Sequence, residues 1–467
     1  MNVRVKFLGG SKTVTGSKYL LEIDDFKILV DCGLFQGKKE LRLRNWDALP
    51  TKPEEIDVVL LTHAHIDHSG YLPRLVKDGF NKKIICTHAT EDLLQILLKD
   101  AGKLQEEEAA FAFKHGYSKH SKPKPLFTEE DAIEVFHYLE SHPYQQSIQL
   151  NEAIEVKFYN AGHILGASSI EIIIQGEKQT KTILFSGDLG RNHDPLMYPP
   201  QKFVEADVIF IESTYGDRVS PMADVESDLA TALNEAHEKG GSVIIPAFAV
   251  GRTQNLIFYI NQLMSEKKIE TVPVYIDSPM AISVTSLYER HSAIHKLKVE
   301  KRAHELISIF DSSNIKFCNT PESSRVLNEV KYPSIIISAS GMCTGGRILH
   351  HLYHRLPNKD DTVLFVGFQA EGTRGRHILD GDESVRIFGI EVPVKCAVRE
   401  IQGLSAHADL PELMEWLGNF SKSPKMLFII HGEPEVAESF SNQIQSKFGW
   451  QSIVPEYLET FELFRGI

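Results

Sequence analysis

Leu60-Leu61-Thr62-His63-Ala64-His65-Ile66-Asp67-His68-Ser69-Gly70 is the stretch from which the chain is best read. Three histidines and an aspartate fall within six positions, directly after the apolar run Val58 to Leu61. That run reads as a buried strand, so the polar residues sit at its exit, where strand ends and loops carry chemistry. Neutral imidazole and carboxylate are ligand types that Zn2+ accepts. The order H-x-H-x-D-H can serve two ions, the first two histidines turning one way and the Asp-His pair the other. A polar turn with chance histidines is the alternative, and further candidate ligands downstream argue against it.

Short β-rich runs precede this stretch at Val3 to Leu8, Tyr19 to Ile23 and Lys27 to Asp31. Asp31 closes the third, before Cys32-Gly33. A carboxylate there either caps a turn or orients a metal-bound histidine. Downstream, Ile154 to Tyr159 leads into Asn160-Ala161-Gly162-His163, Thr182 to Phe185 into Ser186-Gly187-Asp188, and Val208 to Ile211 into Glu212-Ser213-Thr214. Polar residues repeated at strand ends suit one shared site better than separate turns. Between them, residues 91 to about 142 read as a long helical stretch of mixed charge. His115, His120, His137 and His142 lack partner spacing there and read as solvated or structural.

From about residue 220 the rhythm changes. Val225, Leu229, Leu233 and Ala236 follow helical spacing, and strands such as Val243 to Phe248 and Ser334 to Ala339 alternate with helices. This alternation implies a doubly wound parallel sheet. Near 385 short strands return. The expected division is 1–213, an inserted domain 214–384, and 385–467 rejoining the first domain.

A chain of 467 residues is too long for one ordinary core. Hydrophobic content of 42% and charged content of 24% match a soluble globular protein. No apolar run approaches the roughly 18 residues of a membrane span, and the N-terminus lacks a signal peptide's apolar core. Five scattered cysteines without a CxxC pair suggest a reduced, cytoplasmic protein. The net charge of −13 argues against a broad non-specific grip on nucleic acid but leaves room for a local basic channel.

Asp31, the run His63 to His68, His163 and Asp188 resemble, in order, the metal motifs of the metallo-β-lactamase superfamily. Glu212 in Glu-Ser-Thr-Tyr-Gly resembles motif A of its β-CASP nucleases. His377 in Glu371-Gly-Thr-Arg-Gly-Arg-His377 resembles motif B, and His407 in Leu-Ser-Ala-His-Ala-Asp resembles motif C. The chain looks most like the prokaryotic relatives of the cleavage-and-polyadenylation endonuclease. The resemblance implies an αββα sandwich interrupted by a doubly wound β-CASP domain. It also implies two Zn2+ ions, and dimers are common in the family. A histidine at motif C goes with RNA cleavage there, whereas the DNA-repair branch usually carries valine.

On this reading His63, His65 and His163 hold one ion, Asp67, His68 and His407 the other, and Asp188 bridges them. Two ions so placed suit phosphodiester hydrolysis, with Asp67 at the reacting centre. His377 is expected as general acid or phosphate clamp, and Glu212 with His431 as a carboxylate–imidazole pair that tunes proton delivery. Phosphate contacts are expected from Ser340-Gly341 and Arg347, in a Gly-rich segment opening a helix, and from Arg252, Arg374 and Arg376. The implied substrate is single-stranded RNA, cut internally or from the 5′ end, leaving a 5′-phosphate and a 3′-hydroxyl. A small-molecule metallo-hydrolase of the same superfamily is the alternative, and a non-catalytic RNA-binding scaffold is a third. The first needs no second sheet, and the second would have lost metal ligands.

Overall fold

Val3, Val5 and Phe7 alternate with the more accessible Arg4 and Lys6, so one face of the strand Val3–Gly9 is fully buried. The same alternation in Ile154–Asn160 buries Ile154, Val156 and Phe158, and in Ser168–Gln175 it buries Ile170, Ile172 and Ile174. These faces build the sandwich. The structure, a computed structural model, describes the chain except residues 116–122, 220–223, 298–299, 303–304, 308–309, 311–312, 368 and 371. It divides into two units, Met1–Val219 with His407–Ile467, and Ser220–Ala406.

The first unit holds two sheets. One runs in the order Thr460–Phe464, Val3–Gly9, Lys18–Ile23, Phe26–Val30, Val58–Leu60, Lys83–Thr87, Leu139–His142. The other runs Met426–Ile430, Val208–Glu212, Thr180–Phe185, Ser168–Gln175, Ile154–Asn160, Ile148–Asn151. Between them Phe210 stacks on Phe185 at 4.1 Å and on Phe428 at 4.8 Å, with Phe7 of the first sheet 5.3 Å from Phe428. Burying one such ring contributes about 2–3 kcal/mol. Ile209, Ile211 and Ile429 face the other way, against Trp416 of helix Leu410–Leu417 and Phe440 of helix Pro434–Phe448. Helices Leu72–Lys77 and His88–His115 bury Leu72, Leu75, Leu93, Leu94 and Leu98. The layering is the αββα sandwich expected.

In the second unit six strands pair wholly in parallel, in the order Ile315–Phe317, Val274–Ile276, Ser334–Ser338, Ser242–Pro246, Thr362–Phe365, Ala397–Glu400. Their near-continuous apolar runs, such as Ile335-Ile336-Ile337, are those of strands covered on both faces.

Two expectations change. The helical stretch from 91 stops at His115, and after helix Glu129–Glu134 the segment Leu139–His142 is a strand, because it pairs in parallel with Lys83–Thr87. The side chain of His115, His120 and Glu371 lie outside the described residues. The return expected at 385 comes later. Ser384–Ile387 and Ile390–Pro393 form a hairpin, and Ala397–Glu400 is bound in parallel to Thr362–Phe365, which keeps the chain in the second unit to Ala406. All five cysteines are free and buried. Among the described residues no helix is long and apolar enough to cross a membrane.

Candidate metal centre

Strand Val58–Leu60 delivers His63 and His65 on its exit loop, and the single helical turn Ile66–Ser69 presents Asp67 and His68. Asp31, at φ +58° after strand Phe26–Val30, accepts the Thr62 amide at 2.8 Å and the His68 Nδ1–H at 2.7 Å. It thereby aims His68 Nε2 at the cluster. His163 follows Ile154–Asn160 through Gly162, and Asp188 follows Thr180–Phe185. These two loops close on each other, for a Cβ on Gly190 would stand 1.8 Å from the Gly162 carbonyl oxygen. His431, at φ +49° after Met426–Ile430, is tied by its amide to the Gly10 carbonyl at 2.7 Å.

The donor atoms fall into two groups, and Asp188, Glu212 and His431 make a third that overlaps them. In the first, His65 Nδ1 lies 3.1 Å from His63 Nε2 and 3.2 Å from His163 Nε2. Asp188 Oδ2 lies 3.4 Å from His63 Nε2 and 3.7 Å from His163 Nε2. In the second, His68 Nε2 lies 3.1 Å from His431 Nε2, and Asp67 Oδ2 lies 3.4 Å from the same atom. Asp188 Oδ1 is 3.3 Å from His68 Nε2 and, though buried, accepts no hydrogen bond. Ligands about 2.0–2.1 Å from a tetrahedral zinc stand about 3.3 Å apart. The donor types and spacings therefore fit two divalent ions sharing Asp188.

His431, not His407, completes the second group. His407 instead donates from Nδ1 to Glu212 Oε1 at 3.2 Å, with its ring 4.4 Å from that of His163. Glu212 thus takes its hydrogen bond from His407, and it also stands beside Asp188 and close to His431, the expected partner. Glu212 is fully buried, and it also accepts the Leu189 amide at 2.7 Å and the Thr214 amide at 3.2 Å. The register explains the exchange. Val208–Glu212 and Met426–Ile430 pair in parallel with Glu212 opposite Ile430, so His431 emerges one step beyond Glu212. Thr62 and Thr214 were missed by sequence reasoning. Thr62 Oγ1 lies 3.0 Å from His63 Nδ1, and Thr214 Oγ1 lies 3.1 Å from His431 Nδ1. The local sequence carries no signal for either beyond a hydroxyl next to a candidate ligand.

Burial, reinforced by His68, pushes His63 well below the ordinary imidazole range, and burial also lowers His65. Both are thus in the neutral form that binds metal. Burial opposes ionisation of Asp67 and Asp188, yet the surrounding imidazoles, His431 and His68 foremost, hold both below the carboxylate range. At His68 burial is outweighed by Asp188, Asp31 and Asp67, which raise it to about 10. At His407 burial is outweighed by Glu212, which raises it to about 9. The centre is a hole for positive charge, filled by protons or by cations.

The remaining expected residues lie in the second unit. His377, on helix Arg374–Leu379, is half exposed and has Nδ1 2.9 Å from Asp382 Oδ2. Arg347 donates to buried Asp277 and to the Cys318 carbonyl, both at 2.7 Å. Arg374 donates to the Arg386 and Cys343 carbonyls, and Arg376 pairs with Asp380. Arg252 begins helix Arg252–Ser265 against Gly367. Ser340 Oγ accepts the Thr344 amide at 3.0 Å, and Gly341 packs on Phe248. Arg347, Arg374 and Arg376 thus already have protein partners, so the phosphate contacts expected of them compete with those bonds.

Three family models match: Metallo-beta-lactamase superfamily over residues 13–236, Beta-Casp domain over 253–378, and Zn-dependent metallo-hydrolase RNA specificity domain over 391–455. Ribonuclease TTHA0252 of Thermus thermophilus is 35% identical over 436 residues, 93% of this chain and 94% of that one. An RNase J-like protein of Methanocaldococcus jannaschii is 32% identical over 97% of this chain and 98% of its own. The transcription termination factor FttA of the same organism is 29% identical over 99% of this chain and 72% of its own. A crystal structure of a protein of unknown function from Enterococcus faecalis V583 covers 99% of this chain at TM-score 0.55 and 15% identity, a likeness of fold.

Proposed function

We propose that this chain, which belongs to the metallo-β-lactamase superfamily and within it to the β-CASP ribonucleases, hydrolyses phosphodiester bonds of single-stranded RNA with two Zn2+ ions. The family makes it a metal-dependent hydrolase. The observation that carries the two-ion reading is Asp188, whose two oxygens face separate groups of imidazoles. His63, His65 and His163 with Asp188 would hold one ion, and Asp67, His68 and His431 with Asp188 the other. When bound, such ions supply an activated water at neutral pH and neutralise charge developing on the phosphate.

The chain's own residues orient that chemistry and move a proton. Asp31 fixes the His68 ring, and Thr214 the His431 ring. His407 is the proton donor to the leaving 3′-oxygen. Glu212 engages its Nδ1 and stabilises the imidazolium that gives up the proton. The products are a 5′-phosphate and a 3′-hydroxyl.

Cleavage of a 5′-labelled single-stranded RNA by zinc-loaded protein, with Asp67→Ala as control, tests the reading. Internal fragments ending in 3′-hydroxyls, absent in the control, are expected. Release of mononucleotides alone makes the enzyme a 5′-exonuclease. Protein that holds two zinc ions and cuts no RNA would overturn the proposal.

A further inference from the structure

Cations of the first unit repeatedly meet carboxylates: Lys12 with Glu456, Lys27 with Glu55, Arg74 with Asp78, Lys77 with Asp131, Lys181 with Asp207. Other cations, Arg4, Lys6 and Lys52 among them, make no ion pair among the described residues, but between residues 38 and 46 four such cations stand together. Lys38, Lys39, Arg42 and Arg44 crowd around the helix Lys39–Arg44, and among the described residues none of them makes an ion pair. The helix buries none of its residues. So short a helix does not hold itself together in water. Asn45, 7% exposed, pins it by accepting the Phe35 amide at 2.9 Å and donating to the Phe35 carbonyl at 2.8 Å. The Arg44 guanidinium lies 4.3 Å from the centre of the Tyr457 ring. Beyond it Trp46 stands 52% exposed.

A protein of net charge −13 thus keeps four cations outside ion pairs, against the two acids Glu40 and Asp47, and an open indole on one fixed segment. Cations suit phosphates, and an open indole suits an unpaired base, which together describe a single-stranded polynucleotide. The segment is also joined to the metal centre. It follows the loop in which Leu34 donates to the Ile66 carbonyl at 2.9 Å, Cys32 donates to the His68 carbonyl at 2.7 Å, and Asp31 holds His68. A Cβ on Gly33 would stand 1.6 Å from the Asp67 carbonyl oxygen, so loop and ligand turn are in direct contact.

We propose that Lys38, Lys39, Arg42, Arg44 and Trp46 form an RNA-gripping surface outside the metal centre, which holds the strand's phosphates and stacks one of its bases. This rests on the ribonuclease reading and adds where the strand is held. The test is fluorescence anisotropy of a 5′-fluorescein oligouridylate with the full chain carrying Asp67→Ala, so that the RNA stays whole. Adding K38A/K39A/R42A should weaken binding and lower the slope of log K against log salt by about 2. Adding Trp46→Ala should weaken binding at least about fivefold, while Trp46→Phe, which keeps a stacking ring, retains most of the affinity. That contrast separates lost stacking from a folding defect.

Unchanged affinity and salt slope in the triple variant overturn the proposal. So does loss of binding to phosphatidylserine-containing vesicles with RNA binding intact, which assigns the surface to a membrane. If the protein with Asp67 intact cuts RNA and the variants bind like their Asp67→Ala parent, only the gripping surface fails. If the protein with Asp67 intact cuts no RNA and the Asp67→Ala parent binds none, the ribonuclease reading is removed as well.

Discussion

The exchange of roles between His407 and His431 gives the sharpest test, with one substitution, to asparagine, made at each. His431 Nε2 stands within 3.4 Å of both His68 Nε2 and Asp67 Oδ2, so it is read as a ligand. His407 Nδ1 is engaged by Glu212, so it is read as an acid. Zinc held by four protein ligands is worth about 10–16 kcal/mol. One ligand of four then carries about 3 kcal/mol, or about a hundredfold in Kd. Titration of metal-free protein with zinc, read by calorimetry and by metal analysis after dialysis, should show His431→Asn keeping one site unchanged and weakening the other about a hundredfold. His407→Asn should retain both sites while kcat falls by about 10²–10⁴. The opposite pattern, one site weakened in His407→Asn and both unchanged in His431→Asn, refutes the assignment and restores the one drawn from sequence.

Other outcomes follow from the same geometry. The rate should fall as pH rises through about 9, where His407 loses its proton, and in Glu212→Gln the fall should move to lower pH because the charge that raises His407 is gone. Coincident profiles would count against His407 as the acid. Asp31→Asn should weaken zinc at the His68 group by about 10–100-fold and leave the His63 group unchanged in the same titration. Lys18 is fully buried, and burial lowers it to about 8 from 10.5. The folded state thus resists a charge that the unfolded chain carries, a penalty complete below about pH 8 and gone by about 10.5. Lys18→Met removes that penalty together with the bond to the Gly33 carbonyl and the contacts with the Phe35 and Tyr71 rings, so its stability relative to the parent should fall as pH rises from about 8 to about 10.5. A pH-independent difference in urea midpoints would refute that account. Phe210→Ala should cost about 3–5 kcal/mol in the same assay, since Phe185 and Phe428 both lose a stacked face.

The sandwich and most of the centre were legible because their signals are local. Alternation marks Val3, Val5 and Phe7 as one face, and polar residues at the exits of strands mark His63, His163, Asp188 and Glu212. What was not legible depends on partners distant in sequence. Nothing near His407 or His431 says which faces His68; the parallel register of strands some two hundred residues apart decides it. Leu139–His142 reads as the end of a charged helix until Lys83–Thr87 offers it an edge. Arg347 looks like a phosphate ligand until buried Asp277 takes its guanidinium, and that acid's position follows only from the second unit's sheet.

The backbone at Asp31 and His431 shows how firmly the centre is specified. Both are non-glycine residues at positive φ, a conformation that costs about 1–2 kcal/mol. Each follows a core-facing residue, Val30 or Ile430, at the end of a strand. Continued extension would send the next side chain to the sheet's opposite face. The left-handed turn takes it off that alternation, and main-chain bonds to Leu60 and Gly10 hold the turn in place. Glycine would relieve the strain and delete the functional group. Asparagine tolerates the left-handed region better than most residues, so at these positions it removes the carboxylate or imidazole while sparing the backbone. Loss of metal in Asp31→Asn or His431→Asn therefore reports the side chain's chemistry, and a fall in melting temperature without loss of metal would show that the turn, not the ligand set, is what these residues supply.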